Sequence, residues 1–184
     1  MLSLEKTRER NPERLDERGF SLIELLVVVA IILVIAAIAI PNYLSAKIAG
    51  NQASAAETVR TITSANVVYS TTYSNGYAPT LSVLGGIAPP TCNGAILLDP
   101  LVSGTPSQKS GYVFTYLPQG AAITNPPPGC AAAGFLQYLV AATPVSVLTG
   151  TNSYCADEDG TIHYSSVGAA IATSTACEAL PELQ

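Results

Sequence analysis

Hydrophobic and polar positions divide the chain into four textures. Residues 1–19, MLSLEKTRERNPERLDERG, alternate acidic and basic side chains around Pro12 and bury too little apolar surface to fold independently. From Phe20 to Ile40 only Ser21 and Glu24 interrupt an unbroken apolar run. At about 1.5 Å per residue, the 21 residues of that run make a helix of roughly 31 Å, the thickness of a bilayer core. Pro41 follows and is expected to kink or locally open the helix, because it lacks an amide hydrogen and crowds the preceding turn. Helical spacing then resumes. Leu44, Ile48, Ala55, Val59, Ile62 and Tyr69 fall near one face, with Lys47, Gln52, Glu57 and Arg60 mostly elsewhere, up to a stop at Ser74-Asn75-Gly76.

Beyond Gly76 the pattern shortens to period-2 runs between Gly, Pro, Ser and Thr. Tyr112–Leu117 (YVFTYL) and Phe135–Ala142 (FLQYLVAA) read as strands joined across NPPPGC, and the DEDG turn at Asp157–Gly160 closes a hairpin between Tyr154-Cys155-Ala156 and Thr161–Tyr164. Strands clustered after a helix, rather than alternating with helices, predict an α+β fold with a small antiparallel sheet packed on the long helix. The expected organisation is a leader over 1–19, a membrane-spanning helix over 20–41, an amphipathic continuation over 42–76 and a β-rich head over 77–184.

Charge and cysteines sharpen this picture. The net charge is −5, yet Lys6, Arg8, Arg10, Arg14 and Arg18 precede Gly19, and only Lys47, Arg60 and Lys109 follow. By the positive-inside rule the leader faces the cytoplasm and the head lies outside it. No basic cluster suits nucleic acid. The four cysteines, Cys92, Cys130, Cys155 and Cys177, lie in the exported part without a CxxC spacing, so two disulfides are expected rather than a zinc site. Three pairings are possible; Cys92 with Cys130 and Cys155 with Cys177 is favoured because it closes two moderate loops.

The stretch RGFSLIELLVVVAIILVIAAIAIP, Arg18 to Pro41, resembles the N-terminal segment of type IV pilins and type II secretion pseudopilins. The resemblance implies cleavage by a prepilin peptidase between Gly19 and Phe20 and N-methylation of Phe20. It also places Glu24 on the family's assembly glutamate and Pro41 on its helix-disrupting proline. A carboxylate in an apolar helix costs about 2.5 to 3.5 kcal/mol at the bilayer centre and less near an end. Pairing it with the Phe20 amine of a neighbouring copy would offset that cost and reward a single stagger. The implied role is a structural filament subunit, not an enzyme and without a cofactor. Its partners would be copies of itself, the prepilin peptidase and the pilus or type II secretion assembly machinery. It would reside in the bacterial inner membrane before assembly, then in a surface pilus or periplasmic pseudopilus.

Three other readings carry less weight. Ala37-Ile38-Ala39 fits a signal-peptidase site that would release a soluble secreted binding domain starting at Ile40, but the charged preface and Glu24 argue against it. Asp157, Glu158 and Asp159 invite calcium, as in the terminal loop of major pseudopilins. The EF-hand pattern fails, however, and a solvated acidic turn is expected, with no metal. His163, the single histidine, has no nucleophile-elbow motif to serve, and Tyr112, Phe114 and Tyr116 alternate as one face of a strand.

Overall fold

The computed structural model describes residues 19–183. The leader expected over 1–19 therefore lies almost wholly outside the described residues. The chain divides after Pro41 into two units, the second running from Asn42 to Gln184.

Helix α1 covers Leu22–Tyr73. Pro41 lies inside it, and of the kink or local opening expected there, the opening does not occur: helix runs on through the proline. One proline removes one amide donor, and long helical arms on both sides keep the remaining bonds. Within the second unit the buried positions Ala55, Val59, Ile62, Asn66 and Tyr69 recur every three or four residues, the spacing of one helical face. The inward face begins later than the sequence spacing suggests, since Leu44 is exposed and Ile48 only partly covered. The helix stops where Ser74 (φ 51°) and Gly76 (φ 65°) take left-handed backbone.

Short helices α2 (Leu81–Leu84) and α3 (Pro100–Ser103) precede five strands, β1 (Gln108–Lys109), β2 (Tyr112–Ala122), β3 (Phe135–Pro144), β4 (Ser153–Asp157) and β5 (His163–Ser165). They form an antiparallel meander in chain order. β2 and β3 run longer than their apolar cores, with a register shift between Gln119 and Ala122. Tyr112 and Phe114 of β2, Tyr138, Val140 and Ala142 of β3, and Tyr154 and Ala156 of β4 pack with the buried face of α1. The intervening residues Leu139, Ala141 and Cys155 form a second core with Ile171 and Cys177, the latter on α4 (Ser174–Glu178). The middle strands are thus covered on both faces, which is why every residue of β4 is buried while β2 alternates at its start.

Two disulfides reinforce the head. Cys155 and Cys177 join β4 to α4, with Cα atoms 6.0 Å apart. Cys92 and Cys130 join the loop after α2 to the β2–β3 connection, with Cα atoms 5.3 Å apart. Beside the second bridge, Asn93 Nδ2 donates to the Gly129 carbonyl at 2.8 Å and Asn93 Oδ1 accepts from the Ala131 amide at 2.7 Å.

Candidate assembly segment

The residues that open α1 carry its chemistry. Gly19, Phe20 and Ser21 are not helical, and Phe20 is 84% exposed. The Ser21 carbonyl accepts from the Leu25 amide at 3.3 Å, so Ser21 is the N-cap residue and Leu22 the first helical one. Glu24, three residues on, turns back and its Oε2 accepts from the Ser21 amide at 3.0 Å. That is one arm of a capping box, in which a glutamate satisfies a donor that the helix itself leaves unpaired. The negative charge also sits at the positive end of the helix dipole.

Around this carboxylate the surface is apolar. Phe20, Ile23, Val27 and Val28 line a groove with Glu24, at positions that share one helical face. Farther along, Leu26, Ala30, Ile31, Val34 and Ile35 line another. The most apolar window of α1 has a mean hydropathy of 3.3, and none of it is buried. A helix that is apolar on every side and exposed on every side needs lipid or other helices around it. By length and composition α1 can cross a membrane.

Among the described residues of the head, the charged and aromatic side chains serve the fold. The Asp157 carboxylate is buried and accepts from the Asp159 amide at 3.2 Å, which fixes the acidic turn. Burial, foremost, together with the negative charges of Glu158 and Asp159, pushes the Asp157 carboxyl above the usual carboxylate range. Glu158 Oε1 accepts from Gln137 Nε2 at 2.6 Å. Among the described residues no group of three His, Cys, Asp or Glu side chains is gathered as a metal would require. His163 Nδ1 lies 2.8 Å from the Leu180 carbonyl, holding the C-terminal segment against β5. Tyr112, Tyr116 and Tyr138 are held protonated by burial, Tyr112 with its pKa raised to about 12. They are packing residues with polar tips: the Tyr112 hydroxyl donates to the Asn152 carbonyl at 2.8 Å and Tyr116 to the Ala78 carbonyl at 2.8 Å.

The segment's predicted site residues, Gly19, Phe20 and Glu24, lie together at the entrance of α1, whereas Pro41 sits well inside it. Missing from the sequence reading was Ser21. Its S-x-x-E spacing to Glu24 is the sequence signal for this cap, and it lies inside an apolar run whose composition speaks for insertion instead.

Comparison with family models gives a match to the prokaryotic N-terminal methylation motif, over residues 14–40. Neither curated proteins nor solved structures give a significant match. The matched residues include the capped helix start and the exposed apolar helix, which supports the resemblance of this N-terminal segment to type IV pilins and type II secretion pseudopilins.

Proposed function

We propose that the chain is a structural subunit of a type IV pilus or pilus-like filament. The precursor sits in the inner membrane with its head outside the cytoplasm. Prepilin peptidase cuts between Gly19 and Phe20, the new Phe20 amine is methylated, and the mature chain polymerises through its N-terminal helix. The role is architectural, and no residue is assigned to catalysis. The observation that carries the reading is the wholly exposed apolar half of α1 with one carboxylate at its entrance. Lipid can cover the apolar side chains before assembly, and neighbouring copies of the same helix can cover them afterwards.

In the filament, Glu24 of one copy pairs with the Phe20 amine of the next. Replacing Glu24 by Leu removes a desolvation cost, so Glu24→Leu inserts in the membrane at least as well as the wild type. It leaves the neighbour's amine unpaired in an apolar core, at a cost of about 3 to 5 kcal/mol. Fractionation into precursor, mature membrane pool and sheared filaments, with intact-mass measurement of the mature chain, tests this. The expected result is a mature chain starting at methylated Phe20 and filament yield lower by at least about 100-fold. Wild-type filament yield from Glu24→Leu, or a mature start at Ile40, would defeat the reading.

A further inference from the structure

The carboxylate on which assembly is proposed to depend has a partner in its own chain. Glu24 Oε2 accepts from the Ser21 amide at 3.0 Å, and among the described residues no other hydrogen bond reaches this carboxylate. The contact lies on the C-terminal side of the Gly19–Phe20 bond, so cleavage there would leave both groups in the mature chain. A carboxylate has two oxygens and about four acceptor positions; one amide occupies a single position and leaves Oε1 able to accept more.

Resting on the filament reading above, we propose that the Ser21 backbone amide is a positioning group for assembly. It holds Glu24 Oε2 in the isolated subunit and keeps holding it in the filament, while Oε1 takes the amine of the neighbouring copy. The first consequence concerns the membrane: a carboxylate satisfied by its own helix start enters the apolar layer with one oxygen already bonded. Its second consequence concerns association. A glutamate normally loses side-chain rotational freedom when it binds, and here the cap has removed much of that freedom beforehand. The apolar groove of Phe20, Ile23, Val27 and Val28 around the carboxylate keeps competing water sparse once a second helix covers it. Ser21 acts through its backbone, so the hydroxyl is dispensable and the amide hydrogen is not.

Dipolar-coupling NMR on the mature full-length chain reads this directly. Chains carrying both 15N-serine and δ-13C-glutamate, diluted in unlabelled chain, report contacts within one copy; Glu24→Gln without labelled glutamine identifies the Glu24 signal by its loss. The expected result is a Ser21 N to Glu24 Cδ distance under about 4.5 Å in micelles and in filaments alike. Filaments mixed from 15N-phenylalanine chains and δ-13C-glutamate chains should add a coupling between Phe20 N and Glu24 of another copy. A Ser21 coupling absent in micelles or lost on assembly would overturn the proposal. Absence of only the inter-copy coupling would instead defeat the pairing in the filament reading, with the cap still measured. The positioning role has its own arm. Ser21→Ala should give near-wild-type filament yield, and Ser21→Pro, which lacks the amide hydrogen, should lower the yield from its processed pool by at least tenfold. Wild-type yield from Ser21→Pro would overturn the proposal; a cleavage block in that variant leaves the two NMR distances to decide it.

Discussion

One helix contains two regions with opposite relations to the rest of the chain. From Leu22 to Ile40, large side chains such as Leu22, Ile32 and Ile38 are more than half exposed. From Ala55 to Tyr69, the same helix buries Ala55, Val59, Ile62 and Tyr69 completely and takes two threonines and an asparagine inside with them. The more hydrophobic region is therefore the uncovered one. What decides burial is periodicity: the second region places its apolar residues on one face and meets a sheet, while the first is apolar on all faces and exposed. The head completes its own core, and the N-terminal region requires a surrounding of lipid or sister helices.

The comparison breaks most sharply at Gly134. A Cβ there would stand 1.8 Å from the Asn75 carbonyl oxygen and 2.5 Å from that of Tyr77, both backbone atoms that cannot swing aside. Gly134→Ala should cost the head about 4 kcal/mol or more, in the range reserved for severe core damage. Helix α1 should still insert. Proteolysis of membrane fractions, with the membrane-bound N-terminal peptide followed separately, checks both halves; a protease-resistant head would show that the junction of helix end and β3 tolerates movement. Next in size is the second core, held by Cys155 and Cys177. Replacing both by Ser should destabilise the head by about 2 to 5 kcal/mol, read by denaturant unfolding of the full chain in detergent, again without loss of insertion.

The long helix, the antiparallel sheet and the hairpin closed by the acidic turn were legible because each rests on local pattern: apolar period, turn chemistry and strand alternation. The extra layer was not. The favoured Cys155–Cys177 pairing ties this segment to β4, but Ile171 and Cys177 lie among small and polar residues with little periodicity, so nothing local announces their packing against Leu139 and Ala141. Pro41 is a local signal, while helix continuity also depends on the turns to either side. In the assembly segment, Glu24 stood out as a charge in an apolar run, but its bond to Ser21 depends on where the helix begins, a boundary that apolar periodicity places poorly.

Asn66 sharpens the comparison at a smaller scale, since a buried polar residue on α1 is tolerable only where the head supplies partners. Its Oδ1 accepts from the Ala78 amide at 3.2 Å and lies 3.0 Å from the Tyr116 hydroxyl, whose single hydrogen it shares with the Ala78 carbonyl. Tyr116 also bonds the Ala78 carbonyl at 2.8 Å and would keep a partner, so Asn66→Ala orphans chiefly the Ala78 amide. A loss of about 1 to 3 kcal/mol is expected. Unfolding of the variant in detergent measures it; an unchanged midpoint would mean that water replaces the side chain in that core.

The smallest effect concerns Asp157, whose carboxylate the head buries deeply. Burial raises its pKa above that of an aspartate in the unfolded chain, so the folded head holds this proton more tightly than the unfolded chain does. The folded state then binds more protons than the unfolded one between the unfolded and the folded pKa, and stability falls as pH rises across that window. The cost is fully present above the folded pKa and disappears below the unfolded one. Asp157→Asn keeps an oxygen to accept from the Asp159 amide while removing the charge. It should leave the head at least as stable as the wild type near neutral pH, with the difference closing on acidification through the carboxylate range. Denaturant midpoints at a series of pH values in the same detergent check the sign. A variant less stable at neutral pH, with its deficit shrinking in acid, would mean that the Asp157 charge is held by a favourable partner rather than penalised by burial.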